Sequence, residues 1–468
     1  MRLVVFHYHD RPGGVRAVVE RGLPLLLARL GKVAEVVLLL GEQGDPGWAG
    51  ALAGRLGGVG LRVVVERELG YRPGGKLGAR AQALLRAVLA GPEVLLWAHN
   101  LSVGRNVGLL GRLPTLCAEV GAELWMHHHD WWWDGRWARW GDWQAAAVGS
   151  LEEALALSVP VGPGIRHFCV NRADLGWLQL RAGQAAQWVG NPLPSEDGVP
   201  RGERREAAAW LRERSGGRPI WLAPVRALRR KNIAEALLLA RWAGEAICLA
   251  TTGGASSPEE ELGSSRLASA ARRQGWHFLP GVLAGSRGGP RVAALLAEAE
   301  AVVMTSLQEG FGLPYLEAAA QGKPLVGRAL PQVQANLAAL GCRAPGLYRA
   351  LPVGSGRCDE AAEARRGAAG RERWRGVLPP ELAVPEGPGA DDFGSLSLDA
   401  QLEVLGSGRG LPGEAPRPQV PEWPLEARGE HWAERFWQRP PTLGAAEPLL
   451  AEVQRRLGDW MERPLLWL

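Results

Sequence analysis

The sequence has few cysteines, and no two of them are spaced as a metal-binding or redox pair. Five cysteines are scattered over 468 residues, and no Cys-x-x-Cys occurs. An odd and dispersed set of this kind is typical of a protein kept in a reducing compartment, not of one held together by disulfides.

Long apolar runs are also missing. No stretch approaches the roughly 20 apolar residues that a membrane-spanning helix needs. The N-terminal MRLVVFHYHD holds an apolar run of only four residues before a histidine, which is too short for the core of a signal peptide. We therefore expect a cytoplasmic protein without a transmembrane segment, and peripheral contact with a membrane stays open.

Lysine is almost absent. Of 54 basic residues, only Lys32, Lys76, Lys231 and Lys323 are lysines. The basic residues form no stripe and no nucleic-acid-binding motif occurs, so the net charge of +5 does not indicate a nucleic-acid partner. Because arginine is used nearly everywhere, a retained lysine indicates either chance or a place where a compact ammonium is needed.

Short β-rich runs alternate with helical stretches along two series. The predicted strands cover 3–9, 35–42, 61–66, 94–100 and 122–129 in the first series, and 219–225, 246–252, 276–281, 301–305 and 324–328 in the second. Apolar strands interleaved with helices favour parallel sheets covered on both faces. We predict an α/β protein with two doubly wound, Rossmann-like domains that face each other across a cleft.

The domain boundary is predicted where this alternation stops. The segment GNPLP, residues 190–194, cannot continue a regular element because it holds two prolines. We therefore predict a first domain over 1–190, a second over 191–430, and a helical tail over 431–468 that packs back on the first domain. The Gly- and Pro-rich text from 344 to 424 gives no clear elements.

The strongest motif is SLQEGFGLPYLEAAAQGKPLVG, residues 306–327, between two predicted strands. Pro314 suits the first position of a helix, where its missing N–H costs nothing. The amides of Phe311, Gly312 and Leu313 then point out of the helix start and form an anion site. Glu309 and Glu317 would both face the cleft, where carboxylates accept hydrogen bonds from hydroxyl groups.

Two further motifs follow strands. In APVRALRRKNIAEALLLARWA, residues 223–243, Arg226 closes a strand, Lys231 stands five residues further on, and Asn232 is suited to cap the next helix. Two cations at a strand end suit a diphosphate, although a basic surface loop is the alternative reading. In HDRPGGVRAVVE, residues 9–20, Gly13 and Gly14 form an anion-friendly turn that is weak evidence alone.

The segment HHHDWWWDGRW, residues 127–137, resembles a metal site at first sight. Strand side chains alternate between faces, so His127 and His129 point one way and His128 the other. A metal needs at least three converging ligands, which adjacent histidines on one strand do not supply. We therefore predict no metal and no cofactor. The tryptophans are expected either to line a loop at an acceptor site or to pack their stems.

These motifs together carry a family resemblance. EGFGLPYLE resembles the E-x7-E signature of retaining glycosyltransferases of the GT-B fold, family 4 in particular. The spacing R-x4-K-N from Arg226 to Asn232 resembles their diphosphate-binding pair, and PGGV resembles their N-terminal glycine loop. The likeness extends to about residue 330 and is specific in the second series.

The resemblance implies a role for each matching residue. Glu309 would contact the donor sugar, and Glu317 the ribose of the nucleotide. Arg226 and Lys231 would neutralise the diphosphate, assisted by the amides of Phe311, Gly312 and Leu313 and by the turn at Gly13 and Gly14. His129 matches the family's histidine at the end of a first-domain strand, near the donor sugar. On the acceptor side we place Asn100, Asp130 and Trp131.

The expected activity is transfer of a hexose from a nucleotide-diphosphate sugar to an acceptor hydroxyl, with retention and without a metal ion. The first domain would bind the acceptor and the second the donor. The acceptor would be a sugar, a glycolipid or a small molecule. The alternatives are an epimerase or hydrolase of the same fold that acts on nucleotide sugars, and a non-catalytic nucleotide-sugar-binding protein.

Overall fold

A computed structural model of the chain describes residues 1–193, 198–255, 257–285, 288–384, 391–407, 411–424, 432–438 and 448–461. The chain divides into two units. Unit 1 comprises Met1–Pro192, Gly376–Ala383 and Gly429–Leu457, and unit 2 comprises Leu193–Arg375, Val384–Arg428 and Gly458–Leu468. Residues 376–383 thus belong to unit 1, although we predicted one continuous domain over 191–430.

Unit 1 is built on one parallel sheet of seven strands in the order β3-β2-β1-β4-β5-β6-β7. The strands are β1 (Arg2–His9), β2 (Glu35–Glu42), β3 (Gly60–Val65), β4 (Val94–His99), β5 (Glu123–His128), β6 (Ile165–Cys169) and β7 (Ala186–Trp188). The helices are α1 (Gly14–Leu30), α2 (Pro46–Ala53), α3 (Ala79–Leu89), α4 (Val107–Val120), α5 (Trp140–Ala145), α6 (Leu151–Ser158) and α7 (Leu175–Ala182). We did not predict β6 and β7, because they are short and β6 carries Arg166 and His167.

Unit 2 contains a second parallel sheet, of six strands, in the order β10-β9-β8-β11-β12-β13. Its strands are β8 (Ile220–Arg226), β9 (Cys248–Gly253), β10 (Phe278–Leu279), β11 (Ala301–Met304), β12 (Leu325–Arg328) and β13 (Leu347–Tyr348). Its helices are α8 (Arg201–Ser215), α9 (Ile233–Ala243), α10 (Pro258–Arg273), α11 (Val292–Glu298), α12 (Leu313–Ala320), α13 (Pro331–Ala339), α14 (Glu360–Arg375) and α15 (Leu398–Gly406). The two parallel sheets confirm the predicted α/β class.

Two features differ from the sequence expectation: the start of α3, and the presence of helices between residues 344 and 424. The sequence predicts a helix from Lys76 to Leu89, whereas α3 begins at Ala79, because the amide of Gly78 donates to the Glu68 carboxylate at 2.7 Å and fixes the chain before the helix. The Gly- and Pro-rich region from 344 to 424 contains two helices that we did not predict, α14 and α15. The sequence of α14 has no clear apolar stripe.

The C-terminal part of unit 1 covers the apolar face of its sheet. A short 3-10 helix, Ala433–Phe436, places Trp432 and Phe436 in the core around β1, β4 and α1. The last helix, α16 (Leu449–Met461), carries Arg456, which forms ion pairs with Asp134 and Asp174. Of the tail predicted over 431–468, residues 431, 439–447 and 462–468 lie outside the described residues. Among the described residues, no helix is long and apolar enough to cross a bilayer.

Candidate active site

The two motifs of unit 2 lie side by side at one edge of its sheet. Strands β8 and β11 are parallel neighbours, so the segments that follow them meet at the same edge. The Thr305 hydroxyl donates to the Lys231 carbonyl at 3.0 Å, and the Leu307 amide donates to the Arg230 carbonyl at 2.8 Å. Arg230 donates back to the Gln308 carbonyl at 2.8 Å. These bonds fix the loop before Glu309 against the turn that carries Lys231.

The docking of these segments brings two of the predicted catalytic residues into contact. The Lys231 ammonium donates to the Glu309 carboxylate, and the Arg230 guanidinium lies 3.6 Å from the other carboxylate oxygen. Only 10% of the Lys231 side chain and 11% of the Glu309 side chain are exposed. Burial alone would raise the pKa of Glu309, but the charges of Lys231 and Arg230 outweigh it and lower the pKa below its ordinary value. Glu309 is therefore an anion at neutral pH.

Arg230 is a residue that sequence reasoning missed at this site. We singled out Arg226 and Lys231 in the run RALRRKN and passed over the arginine next to the lysine. Arg226 is the last residue of β8 and is exposed. Its stem packs on β9, where a Cβ on Gly253 would lie 2.8 Å from the Arg226 Cγ. The signal available in the sequence was the position of Arg230 directly before the retained lysine.

The start of α12 is shaped as the motif predicted, with one difference. Leu313, not Pro314, is its first residue. Gly312 precedes it with φ 84°, a left-handed conformation that favours glycine, and a Cβ there would lie 2.8 Å from Val333. The Phe311 ring is buried and its carbonyl accepts from the Asn336 side chain at 3.0 Å. The backbone is thus held firmly where the first amides of the helix lack intrahelical acceptors.

Glu317 lies four residues after Leu313, on the same face of α12 as the helix start. Its side chain is half-buried. The spacing of eight residues therefore places Glu309 before the helix and Glu317 inside its second turn. This arrangement is the one predicted from the sequence.

A buried network of charged side chains adjoins the turn that carries Lys231, and Asn232 connects the two. Asn232 is the N-cap of α9, as predicted, but its side chain donates to the Glu235 carboxylate at 2.7 Å instead of capping an amide. Arg328 binds Glu235 with two nitrogens, at 2.7 and 2.5 Å, and binds Asp392 with two at 2.8 Å. Burial raises the pKa of Glu235, and Arg328 opposes that rise. Sequence reasoning did not identify this network.

In unit 1, the glycine turn lies between β1 and α1. Gly13 is the N-cap of α1 and Gly14 its first residue. A Cβ on Gly14 would meet nothing within 4 Å, and one on Gly13 would meet only the Arg11 carbonyl at 3.9 Å. Since neither glycine has a left-handed φ in this structure, the fold itself does not require glycine here. The open space is suited to close approach by a ligand.

His129 follows β5 and is held by its neighbours. The Asn100 side-chain oxygen accepts from the amides of His129 and Asp130, at 3.2 and 2.9 Å. Asn100 directly follows β4, with φ 61°, and is 8% exposed. Burial lowers the pKa of His129 to about 4, so its ring is neutral. Asn100 therefore orients the strand end, while the Asp130 carboxylate pairs with Arg136 at 3.2 Å.

The expected acceptor role of Trp131 is wrong. Its ring is 1% exposed, stacks on His128 at 4.2 Å and donates to the Asp174 carboxylate at 2.8 Å. Trp132, Trp133 and Trp137 are fully buried as well. The run of tryptophans is apolar core, because rings of this size contribute most when they are removed from water. It offers no aromatic face to a sugar.

Three histidines of unit 1 form a candidate metal-binding group. One ring nitrogen from each of His99, His127 and His129 lies within 4.8 Å of the other two. Our prediction of no metal assumed that ligands would come from a single strand. His99 is instead on β4, and it pairs with His127 of β5 in the parallel register.

The chain was compared with protein-family models, curated protein sequences and solved structures. Residues 233–341 match a family model described as glycosyl transferases group 1. No curated protein sequence matches the chain. The fold is similar to Anabaena Alr3699/HepE, solved in complex with UDP-glucose, with 14% identity, a TM-score of 0.51 and coverage of 88% of this chain and 95% of that one.

Two other solved structures are similar at lower scores. WaaG, a glycosyltransferase involved in lipopolysaccharide biosynthesis, has 15% identity and a TM-score of 0.47 over 73% of this chain and 85% of its own. Sucrose-phosphate synthase of Thermosynechococcus elongatus has 18% identity and a TM-score of 0.47 over 70% and 81%.

The two parallel sheets and the similarity to HepE establish two Rossmann-like units of the GT-B class. The matched family model covers α9 to α13, which includes Glu309, α12 and Glu317. Fold and family match together support a GT-B glycosyltransferase. The predicted fold class is thereby confirmed.

Proposed function

We propose that the protein is a retaining glycosyltransferase of family 4 type, which moves a hexose from a nucleotide-diphosphate sugar to an acceptor hydroxyl. The observation that carries this proposal is the buried pairing of Glu309 with Lys231 beside the start of α12. A carboxylate suited to sugar hydroxyls and an ammonium suited to a diphosphate lie together at one sheet edge. The HepE complex with UDP-glucose supports a nucleotide sugar as donor.

The reaction breaks the bond between the anomeric carbon and the diphosphate oxygen, and forms a bond from that carbon to the acceptor oxygen. Arg226, Lys231 and the first amides of α12 stabilise the negative charge that grows on the departing diphosphate. The acceptor hydroxyl attacks from the same face, and its proton passes to the departing phosphate. No protein base is needed. Arg226 and Lys231 of unit 2 neutralise the charge of the diphosphate, so the transfer step needs no divalent ion.

We assign the remaining residues on the same basis. Glu317 would accept from the ribose, Gly13 and Gly14 would let the donor approach, and His129 would contact the sugar. Asn100 and Asp130 would lie near the acceptor, since they adjoin His129. The free cysteines support a cytoplasmic location.

The test of this function is an assay of nucleotide diphosphate release in EDTA. Purified protein would be incubated with UDP-, GDP- and ADP-hexoses, with and without sugars and glycolipids as acceptors. Release that depends on an acceptor supports transfer. Release without an acceptor identifies a hydrolase, and conversion of the donor without release identifies an epimerase. Binding without any turnover would leave only a nucleotide-sugar-binding protein.

Replacing Lys231 by alanine should weaken binding of a nucleoside diphosphate far more than binding of the nucleoside. Only the diphosphate needs the ammonium, and a charged hydrogen bond contributes about 1.5–3 kcal/mol, roughly 10- to 150-fold in affinity. Titration calorimetry with both ligands measures the difference. Lys32→Ala, which removes an exposed lysine of unit 1, is the control. Equal losses for both ligands would contradict the diphosphate role.

Replacing Gly14 by alanine should leave the fold intact and weaken donor binding. A Cβ at this position meets no protein atom within 4 Å, and alanine in a helix is favoured over glycine by roughly 0.5–1 kcal/mol. Thermal unfolding and donor affinity would be measured together. Gly202→Ala is the matched control, because Gly202 also lies in a first helical turn with open space. Unchanged donor affinity in Gly14→Ala would remove the glycine turn from the site.

A further inference from the structure

Five of the nine histidines share one face of the central strands of unit 1. His7 and His9 lie on β1, His99 on β4, and His127 and His129 at the end of β5. Phe6 pairs with Ala98 and His99 pairs with His127, so the histidines stand in register across three neighbouring strands. The ring centroids of His7 and His9 are 4.9 Å apart, and those of His127 and His129 are 4.8 Å apart.

The histidines on the opposite face are fully engaged in hydrogen bonds. His167 donates from Nε2 to the Pro160 carbonyl at 2.7 Å, so its Nδ1 accepts from His128 Nε2 at 2.9 Å. His128 Nδ1 then accepts from the Ser102 hydroxyl at 2.8 Å. Each ring nitrogen of that pair has a partner. These hydrogen bonds satisfy the two buried histidines without a bound ligand.

The five-histidine face is different, because several of its buried nitrogens have no partner. Within the described part of the chain, His7 Nδ1, His99 Nε2 and His127 Nε2 are buried and make no hydrogen bond. His99 and His127 are completely buried. Buried polar atoms are almost always paired, and an exception indicates a missing water, ion or ligand.

We propose that His99, His127 and His129 bind a transition-metal ion of the Zn²⁺ class. Their ligand atoms already lie within 4.8 Å of one another. His99 Nδ1 and His129 Nε2 share a hydrogen bond at 2.9 Å, which an ion bound by these two nitrogens would replace. Imidazole ligands select Zn²⁺, Ni²⁺ or Cu²⁺ over Mg²⁺ and Ca²⁺.

The proposed metal ligands are not the cations that the proposed function assigns to the diphosphate, although His129 takes part in both proposals. Arg226 and Lys231 lie in unit 2, whereas the histidines lie in unit 1. The ion would link β4 to β5 and fix the ring of His129. Metal binding is measured without any substrate, so its failure would leave the glycosyltransferase proposal untouched.

A contact between Trp97 and His127 also opposes the ion. The Trp97 indole donates to His127 Nδ1 at 3.2 Å. When Nε2 of a neutral imidazole binds a metal, Nδ1 carries the proton and no longer accepts. Binding must therefore open the Trp97 contact. We expect Trp97→Phe to bind Zn²⁺ more tightly, on the order of 3- to 10-fold, since the competing hydrogen bond is gone. Equal or weaker binding would exclude His127 Nε2 as a ligand.

The main experiment uses the full chain without a histidine tag, after removal of metals with EDTA. Titration calorimetry should show about one Zn²⁺ per chain, as expected for a single site, and no binding of Mg²⁺. Co²⁺ should give the visible absorption of a nitrogen-ligated ion in the wild type, which tests the site without any substitution. No stoichiometric Zn²⁺ or no Co²⁺ absorption would overturn the proposal.

Substitutions then assign the ligands. His129→Ala, at the least buried of the three positions, should abolish stoichiometric Zn²⁺ binding while circular dichroism shows a folded chain. His277→Asn, which removes a histidine of unit 2, should bind like the wild type. Full binding in His129→Ala, or a loss in His277→Asn, would contradict the assignment.

Discussion

Replacing Glu309 by glutamine should leave the fold intact and lower the transfer rate by about two to three orders of magnitude, the size of effect seen when one fixed charge-stabilising group is removed from an active site. The amide keeps the shape of the side chain but loses the negative charge. That charge orients the Lys231 ammonium, which it contacts directly. The substitution therefore removes the sugar-binding carboxylate and releases the cation proposed to stabilise the leaving group.

Initial rates of nucleotide diphosphate release, with thermal unfolding as a check on folding, measure this effect. Glu300→Gln removes an exposed carboxylate of the same unit and should retain the wild-type rate. Wild-type turnover in Glu309→Gln would eliminate Glu309 from the catalytic group.

Replacing Arg328 by methionine should destabilise unit 2 by about 3–5 kcal/mol, because removal of one partner of a buried ion pair leaves uncompensated charge. The guanidinium is 3% exposed, and its partners Glu235 and Asp392 are 0% and 9% exposed. Glu235 also binds Asn232 next to Lys231. We therefore expect weaker diphosphate binding as a secondary effect.

Urea unfolding of the variant and of Arg343→Met measures the difference. Arg343 pairs with Glu422 at 3.2 Å, but their side chains are 83% and 63% exposed. An exposed pair of this kind contributes at most about 1 kcal/mol. Similar losses in the two variants would show that the buried network does not stabilise unit 2.

The sequence predicted the fold class because the strands that matter most are continuous apolar runs. Strands β1, β4 and β8 are surrounded by neighbours on both sides and are rich in valine, leucine and isoleucine. The missed strands are β6, β7 and β13, of five, three and two residues. Strands of this length contain too few residues for an apolar pattern to be recognised.

The unit 2 motifs were predicted as separate features, but their contact was not. Lys231 and Glu309 are 78 positions apart in the sequence, so the sequence does not show that their side chains pair. The pairing follows from β8 and β11 being neighbours, which a single sequence does not reveal. The same limit applies to Arg328, whose partners are 93 and 64 residues away.

The histidine and tryptophan segment shows where local reasoning fails. Strand alternation correctly separates His128 from His127 and His129, since their rings engage different partners. It does not predict that the register of β4 adds His99 to the group. For Trp131, composition alone did not distinguish an exposed aromatic loop from core, and burial decides in favour of core.

The most direct test of the central claim is proton NMR of the purified protein in EDTA, with a nucleotide-hexose donor and the acceptor on which nucleotide diphosphate release depends, followed from the first minutes. The account predicts that the anomeric proton of the donor is replaced by one of the same configuration in the product, and that Glu309→Gln slows this change by about two to three orders of magnitude. It is contradicted if no nucleotide hexose is consumed, if the product has the inverted configuration, or if consumption requires an added divalent ion.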